Sequence, residues 1–128
     1  MLGLTSAPTT HRRAYEMSIK PIPQSLLIHE AVYEEFLNNE RWGEVFAAPV
    51  ALSNVRIQPA KGLIKDTIRE AISARAVLFY DTAHSMPVID NFKIKSKITF
   101  NNEIYSISDV QTFYAFEEAP HHYELILV

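Results

Sequence analysis

From residue 92 to residue 100 apolar and polar side chains alternate, with Phe92, Ile94, Ile98 and Phe100 on one side and Lys93, Lys95, Lys97 and Thr99 on the other. Successive Cβ atoms of a strand point to opposite faces, so a period of two marks a strand buried on one face. Asn101-Asn102 follows at once. Asn tolerates the positive φ that tight hairpin turns require, although Asn-Gly does so more strongly. A two-residue loop sets Ile98 opposite Tyr105 and brings Ile107 to the same side, so the apolar face continues across both strands. The expectation is a hairpin with Ile98, Phe100, Tyr105 and Ile107 in the core and the three lysines outside it.

The rest of the chain reads mostly as short strands. Between residues 26 and 36, Ile28, Val32 and Phe36 recur every fourth residue, as on a helix. The same three lie on one face of a strand interrupted by Glu30 and Glu34, and periodicity alone does not separate the two readings. Trp42-Gly43 marks a turn, and Pro49 and Pro59 bracket a strand over about residues 50–57. Residues 76–80 form a β-rich run, residues 82–90 a loop containing Pro87, and residues 110–114 extend the second arm of the hairpin. Residues 123–128 are almost wholly apolar, as suits a central strand. Residues 61–74 support two conformations. Ile64, Ile68, Ala71 and Ile72 make a helical stripe beside Lys61, Lys65 and Arg69, yet the segment also suits an extended loop carried on a hairpin. Six to seven strands with at most one helix make the expected fold a mainly β, small antiparallel β-barrel with an inter-strand loop or short helix near residues 61–74.

A chain of 128 residues fits one domain with a real core. Residues 20–128 are expected to be that domain. Residues 1–19 read as a flexible arm reaching a neighbour or as a misannotated start. The second reading rests on Arg12-Arg13, which two AGG codons would turn into a ribosome-binding sequence a short spacer before Met17. The absence of cysteine excludes disulfides, thiol catalysis and cysteine zinc sites. No apolar run is long enough to span a membrane, so synthesis in a reducing cytoplasm without export is the default expectation. Charge is segmented: residues 24–44 hold five acids and one base, residues 56–97 eight bases and four acids, and residues 98–128 five acids and no base. A sheet joining such segments would be electrically polarised, which suits head-to-tail packing of identical subunits. Simple scatter of solvated charge is the alternative.

Catalytic chemistry finds little support. His121, His122 and Glu124 form the densest titratable cluster, but neighbours in a strand point to opposite faces, so His122 and Glu124 are the pair able to share an ion. A structural metal needs about four ligands, and no second cluster stands out, so neither a metal nor a cofactor is expected. Hydrogen-bonding imidazoles, with Pro120 setting the start of the last strand, explain the cluster more simply. No glycine-flanked serine turn or Gly-rich phosphate loop is present. Asp81, after Leu78-Phe79-Tyr80, reads as a strand-ending residue that binds turn amides. Lys93, Lys95 and Lys97, about 6–7 Å apart along one strand face, suit DNA phosphates, an acidic neighbouring subunit, or plain solvent.

Several of these residues also carry a family likeness. Leu78-Phe79-Tyr80-Asp81, Ser85-Met86-Pro87, the Ile98-to-Asn102 hairpin with Tyr105, and Pro120-His121-His122-Tyr123-Glu124 recur in an order and spacing that resemble the minor capsid proteins of long-tailed bacteriophages. With Trp42-Gly43 and Val55-Arg56-Ile57 the resemblance covers residues 20–128, and it departs where Asn-Asn replaces the family's usual Asn-Gly. It implies a non-enzymatic head-tail connector of the stopper type, located in the virion neck and assembled in the host bacterial cytoplasm. The implied partners are a homo-oligomeric ring of six or twelve copies, a portal or adaptor protein above, a tail protein below, and packaged double-stranded DNA held non-specifically, with no membrane. In such connectors a long inter-strand loop reorders on assembly, which would bring Lys61, Lys65 and Arg69 to DNA and pack Ile64 and Ile68 on neighbouring copies. The other class considered is an oligonucleotide-binding barrel, in which Phe92 and Tyr105 stack bases beside the lysines. Their place on the face opposite the lysines suits a core better. A metal-dependent hydrolase is a remote third.

Overall fold

The computed structural model describes residues 20–60, 74–116 and 118–128. Among them are eight strands: β1 (His29–Glu34), β2 (Phe36–Glu40), β3 (Gly43–Phe46), β4 (Val50–Pro59), β5 (Ala76–Asp81), β6 (Lys97–Phe100), β7 (Glu103–Tyr114) and β8 (Pro120–Leu127). Six close a barrel in the order β1-β4-β5-β8-β7-β6, while β2 and β3 form a separate two-stranded hairpin. All pairings are antiparallel. The one helical turn among the described residues is a 3-10 turn at Gln24–Leu26. The fold is therefore the small antiparallel barrel that the alternation and turn residues predict.

The founding hairpin keeps its expected register. Asn101 and Asn102 sit at φ 51° and 64°, the left-handed pair that lets a two-residue turn match the twist of its strands. Ile98 faces Tyr105 across the ladder, and Ile98 and Ile107 are completely buried. Phe100 and Tyr105 pack on the core from its margin and are only partly buried. Strand β8 lies between β5 and β7, as its apolar run predicts, with Tyr123, Leu125, Ile126 and Leu127 buried.

Two expectations fail locally. Regular strand geometry begins at Lys97, not at residue 92, because Lys95 turns to φ 70° and the chain bends there. Ile94 is thereby half exposed, while Phe92 still reaches the core. The cause is Ser96, the one polar residue on the apolar side of the alternation. A buried hydroxyl needs partners, and Ser96 Oγ accepts the Phe36 N–H at 2.9 Å, a bond that fixes this bend against β2. In β1 the inward residues are Ala31 and Tyr33, whereas Ile28 is exposed and Val32 half-buried. Ile28 precedes β1, Val32 takes the outward side of a strand whose inward residues are Ala31 and Tyr33, and Glu35 separates Phe36 into β2, so the three share no face.

Phe92 anchors an aromatic cluster, edge-on to Tyr33, Tyr80 and Tyr123 at 5.1, 5.0 and 5.7 Å. The three phenols use their polar ends to fasten the loop before β6. Tyr80 Oη donates to the Pro87 carbonyl and accepts the Ile89 N–H at 3.0 Å. Tyr123 Oη donates to the Asp90 carbonyl at 3.0 Å, and Tyr33 Oη accepts the Lys93 N–H at 3.1 Å.

The barrel has titrating groups at both ends of the pH scale. His29 Nδ1 accepts the Ile57 N–H at 3.0 Å. Burial, aided by the Arg56 guanidinium, holds its pKa below the ordinary 6.5. Its contribution to stability is therefore complete above pH 6.5 and is lost as pH falls through the lowered folded value. Burial raises the phenols of Tyr80 and Tyr123 above 10.0, so their contribution is complete below pH 10.0 and is lost as pH rises through the raised values. A thermal-midpoint profile from about pH 5 to about pH 11 should show a plateau falling at both ends. His29→Asn, which keeps an acceptor but cannot protonate, should flatten the acid limb; an unchanged limb would assign it to other groups.

Candidate interaction surfaces

The β2–β3 hairpin stands outside the barrel ladder and turns at Arg41-Trp42. Gly43 follows at φ 123°, a left-handed conformation that side chains with a Cβ rarely adopt. The indole of Trp42 is 88% exposed, more than any other large apolar side chain described, and the Arg41 guanidinium lies 5.7 Å from its ring. At the base Phe36 and Phe46 pack edge-on at 5.9 Å. The Ala47 N–H donates to the Glu35 carbonyl at 2.8 Å and closes the base.

The predicted lysines gather around this base. Lys93 and Lys95 place their ammonium groups 5.8 and 5.6 Å from the Phe36 ring, and Lys97 lies 4.5 Å from Phe46. They do not form a row on one strand face, because only Lys97 belongs to β6. Aromatic faces attract cations, so the two phenylalanines converge the lysine heads that the bend at Lys95 splays in direction. The sequence offered no sign of this, because the rings come from a distant part of the chain. Lys61, Lys65 and Arg69, and all of the helix-or-loop segment 61–74 except residue 74, lie outside the described residues.

Part of the charge segmentation is satisfied within the molecule. Arg75, from the basic segment, pairs with Glu103 of the acidic one and stacks over Tyr105 at 4.3 Å. That cover on Tyr105, with Phe92 buried in the core, removes the two aromatics required for base stacking. The oligonucleotide-binding reading loses its platform.

The histidine pair departs from expectation. His121 and His122 were predicted to point apart, yet their Nδ1 atoms meet at 2.9 Å. His121 Nε2 lies 2.6 Å from the Lys20 carbonyl and His122 Nε2 3.1 Å from Glu124 Oε2, so all four ring nitrogens have partners. The His122 ring also stacks flat on Phe113 at 4.6 Å, which turns it toward its neighbour. Among the described residues no group of three or more His, Asp or Glu is arranged to hold a metal. Asp81 plays the strand-ending part read from its position. It is completely buried, and its carboxylate accepts the N–H groups of Ile22, Ala83 and His84 at 3.1, 3.1 and 3.0 Å.

Sequence reasoning missed a shallow groove of about 320 Å³ beside the hairpin base. Ala47, Ala48, Val50, Pro87, Val88 and Ile89 give it apolar walls, and Glu35 and Asp90 supply carboxylates. Its walls come from separate segments, so no local motif announces it.

A family model described as minor capsid protein matches residues 23–127. No curated protein and no solved structure matches the chain.

Proposed function

The chain belongs to the minor capsid protein family, a structural virion role, and on that premise we propose that it is a head-tail connector of the stopper type. In this reading a homo-oligomeric ring of six or twelve copies closes the DNA-filled head beneath a portal or adaptor protein and presents a surface to the tail. The observation that supports it is the convergence of Lys93, Lys95 and Lys97 on Phe36 and Phe46. A chain of net charge −3 thus concentrates three cations at the base of one projecting hairpin. Such a patch suits phosphate contacts that need no base sequence, and it also suits the acidic flank of a neighbouring copy. Lys61, Lys65 and Arg69 are proposed as a second basic set for the same DNA.

Replacing Lys93, Lys95 and Lys97 together with Glu should impair ring formation or DNA retention while the monomer stays folded. Replacement with Gln should act in the same direction at smaller amplitude. Binding of double-stranded DNA by the assembled protein should lose about 0.9 from its log–log salt slope for each phosphate contact removed. Intact necks and full heads with the triple-Glu protein would remove the lysines from the connector's working surface.

A further inference from the structure

We propose that the Arg41-Trp42 tip of one copy seats in the groove at the hairpin base of the next copy, a head-to-tail contact that repeats around the ring. The proposal rests on the ring reading above and specifies the surface that would build it. Trp42 is 88% exposed and stands at a turn of the hairpin, beside Arg41. Trp and Arg are the side chains that most often carry interface energy, and a seated Trp covers roughly 150–250 Å².

The groove matches this tip in shape and charge. Its volume is about 320 Å³, with Ala47, Ala48, Val50, Pro87, Val88 and Ile89 as apolar walls. Tyr80 and Tyr123 hold Pro87, Ile89 and Asp90 by hydrogen bonds, so one wall is fixed before anything docks. Glu35 and Asp90 in the groove offer carboxylates to Arg41. Glu40, paired with Gly43, and Glu44, paired with Asn39, flank the tip. Lys93 and Lys95 lie over the Phe36 ring at the hairpin base, and the chain reaches them two and four residues after the groove residue Asn91. The tip's guanidinium therefore has two opposite charges in the groove.

The tip of the same copy cannot be the occupant. Glu35, Ala47 and Ala48 lie at the base of the same hairpin, and five strand residues at about 3.3 Å each hold its own tip roughly 16 Å away. A surface that is convex at one place and concave at another makes a heterologous contact, which closes into a ring when the rotation permits and otherwise runs on as a filament.

The chain has no native cysteine, so engineered disulfides report the contact cleanly. A Glu40→Cys, Val88→Cys double variant of the full chain, which keeps Trp42 and Arg41 in place, should give a ladder of covalent oligomers on oxidation, ending at the ring number. An equimolar mixture of the two single variants should stop at the covalent dimer. In native mass measurements, Trp42→Ala and, separately, Val88→Arg should raise the concentration for half-assembly at least tenfold, with unchanged far-ultraviolet circular dichroism. Arg41→Glu should weaken assembly in the same way, and Asp90→Arg in the same chain should restore part of it. A wild-type ring unaffected by Trp42→Ala and Val88→Arg, with no ladder, would overturn this contact and leave the ring standing. A wild-type chain that remains monomeric at high concentration, without a ladder, would overturn both.

Discussion

Phe92→Ala should lower the stability of the barrel by about 3–5 kcal/mol, the range for deleting a buried aromatic ring. Phe92 is 3% exposed and lies edge-on against three tyrosines, so its removal leaves a cavity bounded by rings that cannot collapse together freely. Those tyrosines also fasten the loop before β6 through their hydroxyls. Loss of the central ring should therefore loosen that loop as well as the core. Phe100→Ala makes the contrast. Phe100 packs at the barrel margin against His29 at 5.0 Å and is only partly buried, so about half the loss or less is expected. Urea unfolding followed by far-ultraviolet circular dichroism would measure both. Fluorescence of the exposed Trp42 would be a poor reporter of the core. A Phe92→Ala loss below about 1 kcal/mol would mean that the cluster can repack and does not hold the loop.

Asp81→Asn should cost about 2–4 kcal/mol although it changes only one side-chain atom. The carboxylate uses Oδ1 for the Ile22 N–H and Oδ2 for those of Ala83 and His84, in a site with no exposure to solvent. An amide keeps one acceptor and turns the other into a donor that faces a donor. If the retained oxygen serves the turn, Ile22 loses its bond and residues 20–22 lose one of their ties to the barrel. The other tie described is the contact of His121 Nε2 with the Lys20 carbonyl. The expected signature is lower stability together with faster hydrogen exchange at the Ile22 amide, or at Ala83 and His84 if the amide takes the opposite orientation. Wild-type stability with unchanged exchange at all three would show that the carboxylate charge is dispensable there.

Much of the barrel was legible in the sequence because the signals involved are local. Asn101-Asn102 reverses the chain through conformations its own two residues adopt, and the Ile98–Tyr105 pairing follows from the loop length alone. Proline marked the ends of β4, and an unbroken apolar run marked β8 as central. Asp81 was recognisable because a carboxylate at a strand end finds turn amides within a few residues. The family resemblance agreed with the matched family over nearly the same residues.

The working surface was not legible, and the reason is distance along the chain. Alternation placed three lysines in a row, but Ser96 bends the strand to reach the Phe36 amide, and Phe36 and Phe46 then collect the lysine heads. Neither partner lies near residues 93–97 in sequence. The inward face of β1 was misread because a four-residue recurrence fits either face of a strand, and only packing in the closed barrel puts Ala31 and Tyr33 inside and leaves Val32 half-buried. His121 and His122 meet because Phe113 of β7 stacks on one ring and Lys20 bonds the other. Sequence by itself thus determined the Asn101-Asn102 turn, the β6–β7 register, the central place of β8 and the barrel class, which depend on backbone preference and side-chain period over a few residues. Which side chains share the hairpin base and the groove beside it was decided by tertiary structure alone, because those neighbours meet only when the barrel closes.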